Sequence, residues 1–173
     1  MTKTVKAIAP VSGFVLLFYA CVLPLYAAAV PKPLRSRFVI GDPVWRELPV
    51  RSDLQANYER CWQTVVNALL ENHFDIATMD KESGYIRTTP NEGVVVLGSH
   101  WFYKVHVSIK FVFGAEQGEP SAPKKFPVEK VRLQVTGELS KLYGGRLRQY
   151  NRGYDEVVLE NVFNDLQSKL GTI

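Results

Sequence analysis

The chain has 173 residues, 46% of them hydrophobic, and a formal charge of +4. Its length suits one domain of ordinary size. Lys3 and Lys6 lie in the first 29 residues, which contain no acid, so the remainder carries 19 basic and 17 acidic residues, a net +2. So small an excess argues against a nucleic-acid partner.

Residues 1–29 read as an export signal. Lys3 and Lys6 make a basic start, residues 7–26 are nearly all apolar, and Ala27-Ala28-Ala29 supplies the small residues that a signal peptidase needs. Cleavage after Ala29 would begin the mature chain at Val30. Two other readings stay open. Ala20 before Cys21 permits a lipoprotein signal, with Cys21 as the lipidated residue. The apolar run also permits an uncleaved anchor, which needs about 20 apolar residues and is weakened here by Pro10 and Pro24.

Residues 30–52 are expected to form a linker and a short strand. Pro31 and Pro33 favour extended chain, residues 38–40 read as a strand, and Gly41-Asp42-Pro43 stops it. A single domain is then expected over 53–173. Ser52, with Gln55 three residues on, resembles a capping box. Leu54, Tyr58, Cys61, Trp62, Val65 and Leu69 recur at spacings of three and four, which predicts one helix ending in a left-handed Asn72. Cys61 lies on that stripe as a core thiol, and with Cys21 in the leader no disulfide framework is indicated. Phe74 and Ile76 alternate with polar residues, Asp80 to Gly84 has turn chemistry, and residues 85–89 read as the returning strand.

These residues carry a resemblance. Tyr58-x-x-x-Trp62 followed by FDIATMDKESGYIRT resembles the repeated domain of bacterial envelope lipoproteins of the BamC type. Trp62, Leu69, Phe74, Ile76, Asp80, Gly84, Ile86 and Thr88 fill the places of that pattern, while His73 stands where the family tends to have glycine. The resemblance implies a small helix-grip or related α+β fold and a role in partner binding.

Further on, residues 94–97 read as a short buried strand between the turns at 91–93 and 98–100. Residues 101–113 alternate with period two. Tyr103, Val105, Val107, Ile109, Phe111 and Phe113 lie on one face, with Lys104, His106, Ser108 and Lys110 on the other. Residues 114–125 read as a loop, 126–139 as the answering strand, and 141–153 as a basic, aromatic loop. Residues 155–170 have the acidic start, basic end and terminal Gly171 of a helix. The expected fold is α+β: two layers, a mainly antiparallel sheet of about five strands and two helices on one face, in the order β-α-β-β-β-β-β-α.

The chain carries little catalytic chemistry. His73, His100 and His106 have no metal-binding helical spacing, no serine sits in a G-x-S-x-G elbow, and Gly144-Gly145-Arg146 lacks the rest of a phosphate loop. His106 as a general base would need a carboxylate partner, and none is identifiable. Turn chemistry and solvent account for Asp75, Asp80 and Glu82. No cofactor or metal is expected.

One surface feature remains. Lys104, Lys110, Lys130 and Arg132 are expected on the polar sheet face, with Arg146, Arg148 and Arg152 beside Tyr143 and Tyr150 in the late loop. They read either as a docking face for an acidic partner, anionic lipid or cell-wall polymer, or as a solvated sheet whose lysines oppose aggregation. The expectation is a non-enzymatic, exported protein of the periplasm or the periplasmic face of a membrane (the outer membrane if Cys21 is lipidated). It would serve an outer-membrane-associated assembly through an envelope protein partner. The alternative is a soluble periplasmic module that binds an apolar small molecule between helix and sheet, with Trp62, Tyr103 and Phe111 lining the cavity.

Overall fold

The computed structural model describes residues 30–115 and 126–171, and within these the side chains of all but residues 143, 148 and 150–152. Residues 1–29, expected as an export signal with Cys21 and Ala29, and residues 116–125, expected within a loop, lie outside the described residues. The chain divides into a unit up to Ser36 and a second from Arg37 onward. In the first, Lys32–Arg35 (α1) forms one helical turn, closed by Ser36 Oγ donating to the Pro33 carbonyl at 3.0 Å.

The second unit runs β1 (Phe38–Ile40), β2 (Arg46–Pro49), α2 (Ser52–Gln55), α3 (Tyr58–Glu71), β3 (Ile76–Asp80), β4 (Tyr85–Thr88), β5 (Asn91–Val96), β6 (His100–Phe113), β7 (Val128–Tyr143), β8 (Arg146–Asp155) and α4 (Glu156–Leu170). The expected sheet of about five strands with two helices is therefore wrong. The described residues hold one eight-stranded sheet, every pairing in it antiparallel, and four helices.

The reason lies in two strand lengths. β6 and β7 have 14 and 16 residues, and at about 3.4 Å per residue each spans roughly 45 Å or more. A strand that long has room for two short partners end to end. β4 pairs with Ser108 to Lys110 of β6 while β5 pairs with His100 to Val105. On the other side, β2 pairs with Lys130 to Leu133 of β7 and β8 with Gly137 to Tyr143. β1 and β3 extend the sheet beyond β8 and β4.

Segment 141–153, expected as a loop, is a hairpin. Gly144 (φ 55°) and Gly145 (φ 76°) turn between paired Tyr143 and Arg146. Two positive φ values in a two-residue connection match the twist of the flanking strands. Another close approach needs glycine at Gly153, where a Cβ would run into the Val39 carbonyl of β1.

The inner face of β6 and β7 buries Val105, Val107, Ile109, Phe111, Val131, Leu133, Val135 and Leu139. Against it α3 turns Cys61, Trp62, Val65, Ala68 and Leu69, and the Trp62 and Phe111 rings stack with centroids 5.4 Å apart. The neighbouring α4 adds Leu159, Val162, Leu166 and Leu170. Burying each such side chain contributes about 1.5–3 kcal/mol. Trp62 and Phe111 thus fill the space between helix and sheet.

Both ends of α3 depart from expectation. Asn57, not Ser52, is the cap, its side chain accepting from Arg60 N at 3.0 Å. The expected continuous helix therefore breaks, and Gln55 donates to the Val50 carbonyl at 2.9 Å instead of closing a capping box. At the other end Asn72 stays at φ −83°, and His73 takes the left-handed conformation at φ 63°. Phe74 N donates to the Leu69 carbonyl and His73 N to that of Leu70, both at 2.9 Å, which is the Schellman pattern.

Asp155 begins α4. It is fully buried, accepts from Val158 N at 3.2 Å, and receives Arg37 Nε at 2.6 Å. The Arg37 guanidinium lies 4.9 Å from the Tyr103 ring centroid. One carboxylate thereby ties helix, β1 and β6 together.

Candidate functional site

Directly opposed residues of an antiparallel pair share a face. Trp101 opposes Lys141 on the inner side, so Phe102, Ser140 and Leu142 face outward. Val94 opposes Phe102, Val96 opposes His100, and Leu147 opposes Leu142. Four aliphatic side chains from β5, β7 and β8 therefore share the outer face at one end of the sheet. They are well exposed: Val94 52%, Val96 64%, Leu142 39% and Leu147 60%. An open cavity of about 350 Å³ lies among them, lined by Val94, Phe102, Lys104, Ser140 and Leu147 among others. Residues 94–97 were expected to be buried. In fact Asn91–Val96 is a strand, most of it exposed, and among the described residues it pairs with β6 alone.

The sheet end is built from two neighbouring hairpin tips. Leu97 to Ser99 joins β5 to β6, with Gly98 at φ 69°, and Gly144-Gly145 joins β7 to β8. The pairing of Trp101 with Lys141 brings the two tips side by side.

The expected basic strip is divided by this geometry. Lys104, Lys110, Lys130 and Arg132 do face outward. Lys110 and Arg132 oppose one another, with Lys130 next along β7. The Glu47 carboxylate, which sequence reasoning passed over, takes Lys130 Nζ at 2.7 Å and Arg132 Nη2 at 2.6 Å. The bond from Lys130, then that from Arg132, holds Glu47 below the usual carboxylate range. Lys104 pairs with Glu92 at 2.6 Å across β5 and β6. Six residues of β6 separate Lys104 from Lys110, roughly 20 Å. Lys110 has no carboxylate partner among the described residues. Arg146 is exposed at the β7–β8 tip, and Arg148 opposes Lys141 in register, its side chain outside the described ones. Two of the six candidates, Lys130 and Arg132, share Glu47, Lys110 lies opposite Arg132, Lys104 stands apart, and the last two belong to the sheet end.

His106 is half-buried on the outer face, with Nε2 3.1 Å from Arg87 Nη2. Burial, and then the Arg87 charge, push its pKa down, while Glu138 acts the other way. That neighbourhood favours a neutral ring. Cys61 donates to the Leu54 carbonyl at 3.4 Å, and burial raises its thiol pKa. Such a thiol is a packing group rather than a nucleophile. A second cavity, about 680 Å³, lies among Tyr58, Lys81, Glu82, Phe113 and Phe126. Tyr58 Oη donates to the Lys81 carbonyl at 2.7 Å, and burial pushes its pKa up to about 12.

Among the described residues no group of three or more His, Cys, Asp or Glu is placed to hold a metal ion. No described helix is long and apolar enough to cross a membrane. No protein-family model matches the chain, and neither does any curated protein.

Proposed function

We propose that the protein is a non-enzymatic docking module of the bacterial cell envelope, held against a larger assembly by the apolar end of its sheet. The observation that carries this reading is the exposed row Val94, Val96, Leu142 and Leu147, gathered from three strands onto one face. Contiguous exposed aliphatic side chains on a rigid sheet mark an interaction surface. The leader-like residues 1–29 support the envelope placement, and the resemblance to BamC-type domains belongs to the same proposal.

A photo-reactive residue at Leu147 tests the reading in the native host, with the exposed helix position Gln63 as control. Adducts formed from position 147 and not from position 63 are expected. Equal yields from both, or none from either, would remove the sheet end as a docking site.

A further inference from the structure

The same two hairpins have a one-sided charge pattern. From Gly93 to Ala115 the sequence has no Asp or Glu, and from Leu139 to Tyr154 it has none either. The second stretch carries Lys141, Arg146, Arg148 and Arg152. At the β7–β8 tip neither Lys141 nor Arg146 has a carboxylate partner among the described residues. Lys141 Nζ lies 5.1 Å from the Trp101 ring centroid. The nearest acid on β5, Glu92, is taken by Lys104. The tip therefore carries its aliphatic side chains on the outer face and the cations Lys141 and Arg146 on the inner one, and only an end-on approach meets both.

That combination separates two kinds of partner. An acidic protein face would meet the cations but leave Val96 and Leu147 facing charge. An anionic bilayer offers both chemistries at the right depths, with phosphates at the headgroup level and acyl chain just below. We infer that the sheet docks end-on to an anionic phospholipid surface, with Val96, Leu142 and Leu147 entering the interface and Lys141 and Arg146 meeting lipid phosphates. This assignment rests on the docking reading above and names its partner.

Hydrogen exchange of the full chain with vesicles tests it, comparing phosphatidylcholine vesicles with and without phosphatidylglycerol. Because residues 7–26 are nearly all apolar and can bind vesicles by themselves, the readout is confined to residues 94–98 and 142–147. Those amides should gain protection only with phosphatidylglycerol, and the gain should shrink as salt is raised. Arg146→Glu should weaken the protecting association by at least about fivefold, the factor for one basic residue at an anionic surface. Leu142→Ser with Leu147→Ser should abolish protection at the tips while the amides of β6 and α3 exchange as before. Absence of tip protection with either vesicle overturns the lipid assignment. If position 147 then still gives adducts, and these are proteins, the docking reading survives with a protein partner. If it gives none, both readings fall. Equal protection by both vesicles overturns the role given to the cations.

Discussion

At the scale of single residues, His73 shows where local geometry overrules composition. The helix exit needs a left-handed residue at C′, and an L side chain with a Cβ bears a cost there of about 1–2 kcal/mol. Histidine occupies that place at φ 63°. His73→Gly should therefore raise stability by about 1 kcal/mol, read as a higher denaturant midpoint at unchanged slope. His106 makes a second prediction. Its folded pKa is depressed, so the unfolded chain takes up a proton first as pH falls. Stability contributed by the neutral ring is complete above the ordinary value of about 6.5 and declines below it. His106→Gln should flatten the stability profile on the acid side of that value, measured by denaturant titration at stepped pH. If the two profiles run parallel, His106 has no such role.

At the scale of elements, the alternating strands and the apolar stripes were legible, and the β7–β8 hairpin was not. Residues 101–113 alternate cleanly, because one face meets a core and the other meets water. The segment LYGGRLRQYNRG does not alternate in the usual way. Its outer face carries Leu142 and Leu147, so the hydrophobic pattern that marks a strand is displaced by the exposed patch itself. Val94 and Val96 misled for the same reason, since a run of valines signals burial when the partner surface is unknown. The pairing of Gly144 with Gly145 was the available signal of a tight hairpin. Gly144→Val combined with Gly145→Val should put β-branched residues at φ 55° and 76° and cost about 2–4 kcal/mol. The loss should show first as faster amide exchange in β8, with α3 unaffected.

At the scale of the whole molecule, the strand count could not be read from element lengths alone. Element lengths do not say how strands share an edge, and β6 and β7 each hold two partners along a single edge. The ion pairs show a similar limit. Glu47 lies more than eighty residues from Lys130 and Arg132 in sequence, and only the pairing of β2 with β7 brings them together. The two long strands also impose an order in time. β4 and β5 need β6, β2 needs β7, and β1 needs β8, so apart from the β3–β4 hairpin no strand before residue 100 can be paired until later sequence exists. A ribosome releasing this chain from its N-terminus therefore delivers most of the sheet's borders before its spine. The nascent protein stays unpaired over most of its length until β6 and β7 have emerged, and such non-local closure is slow.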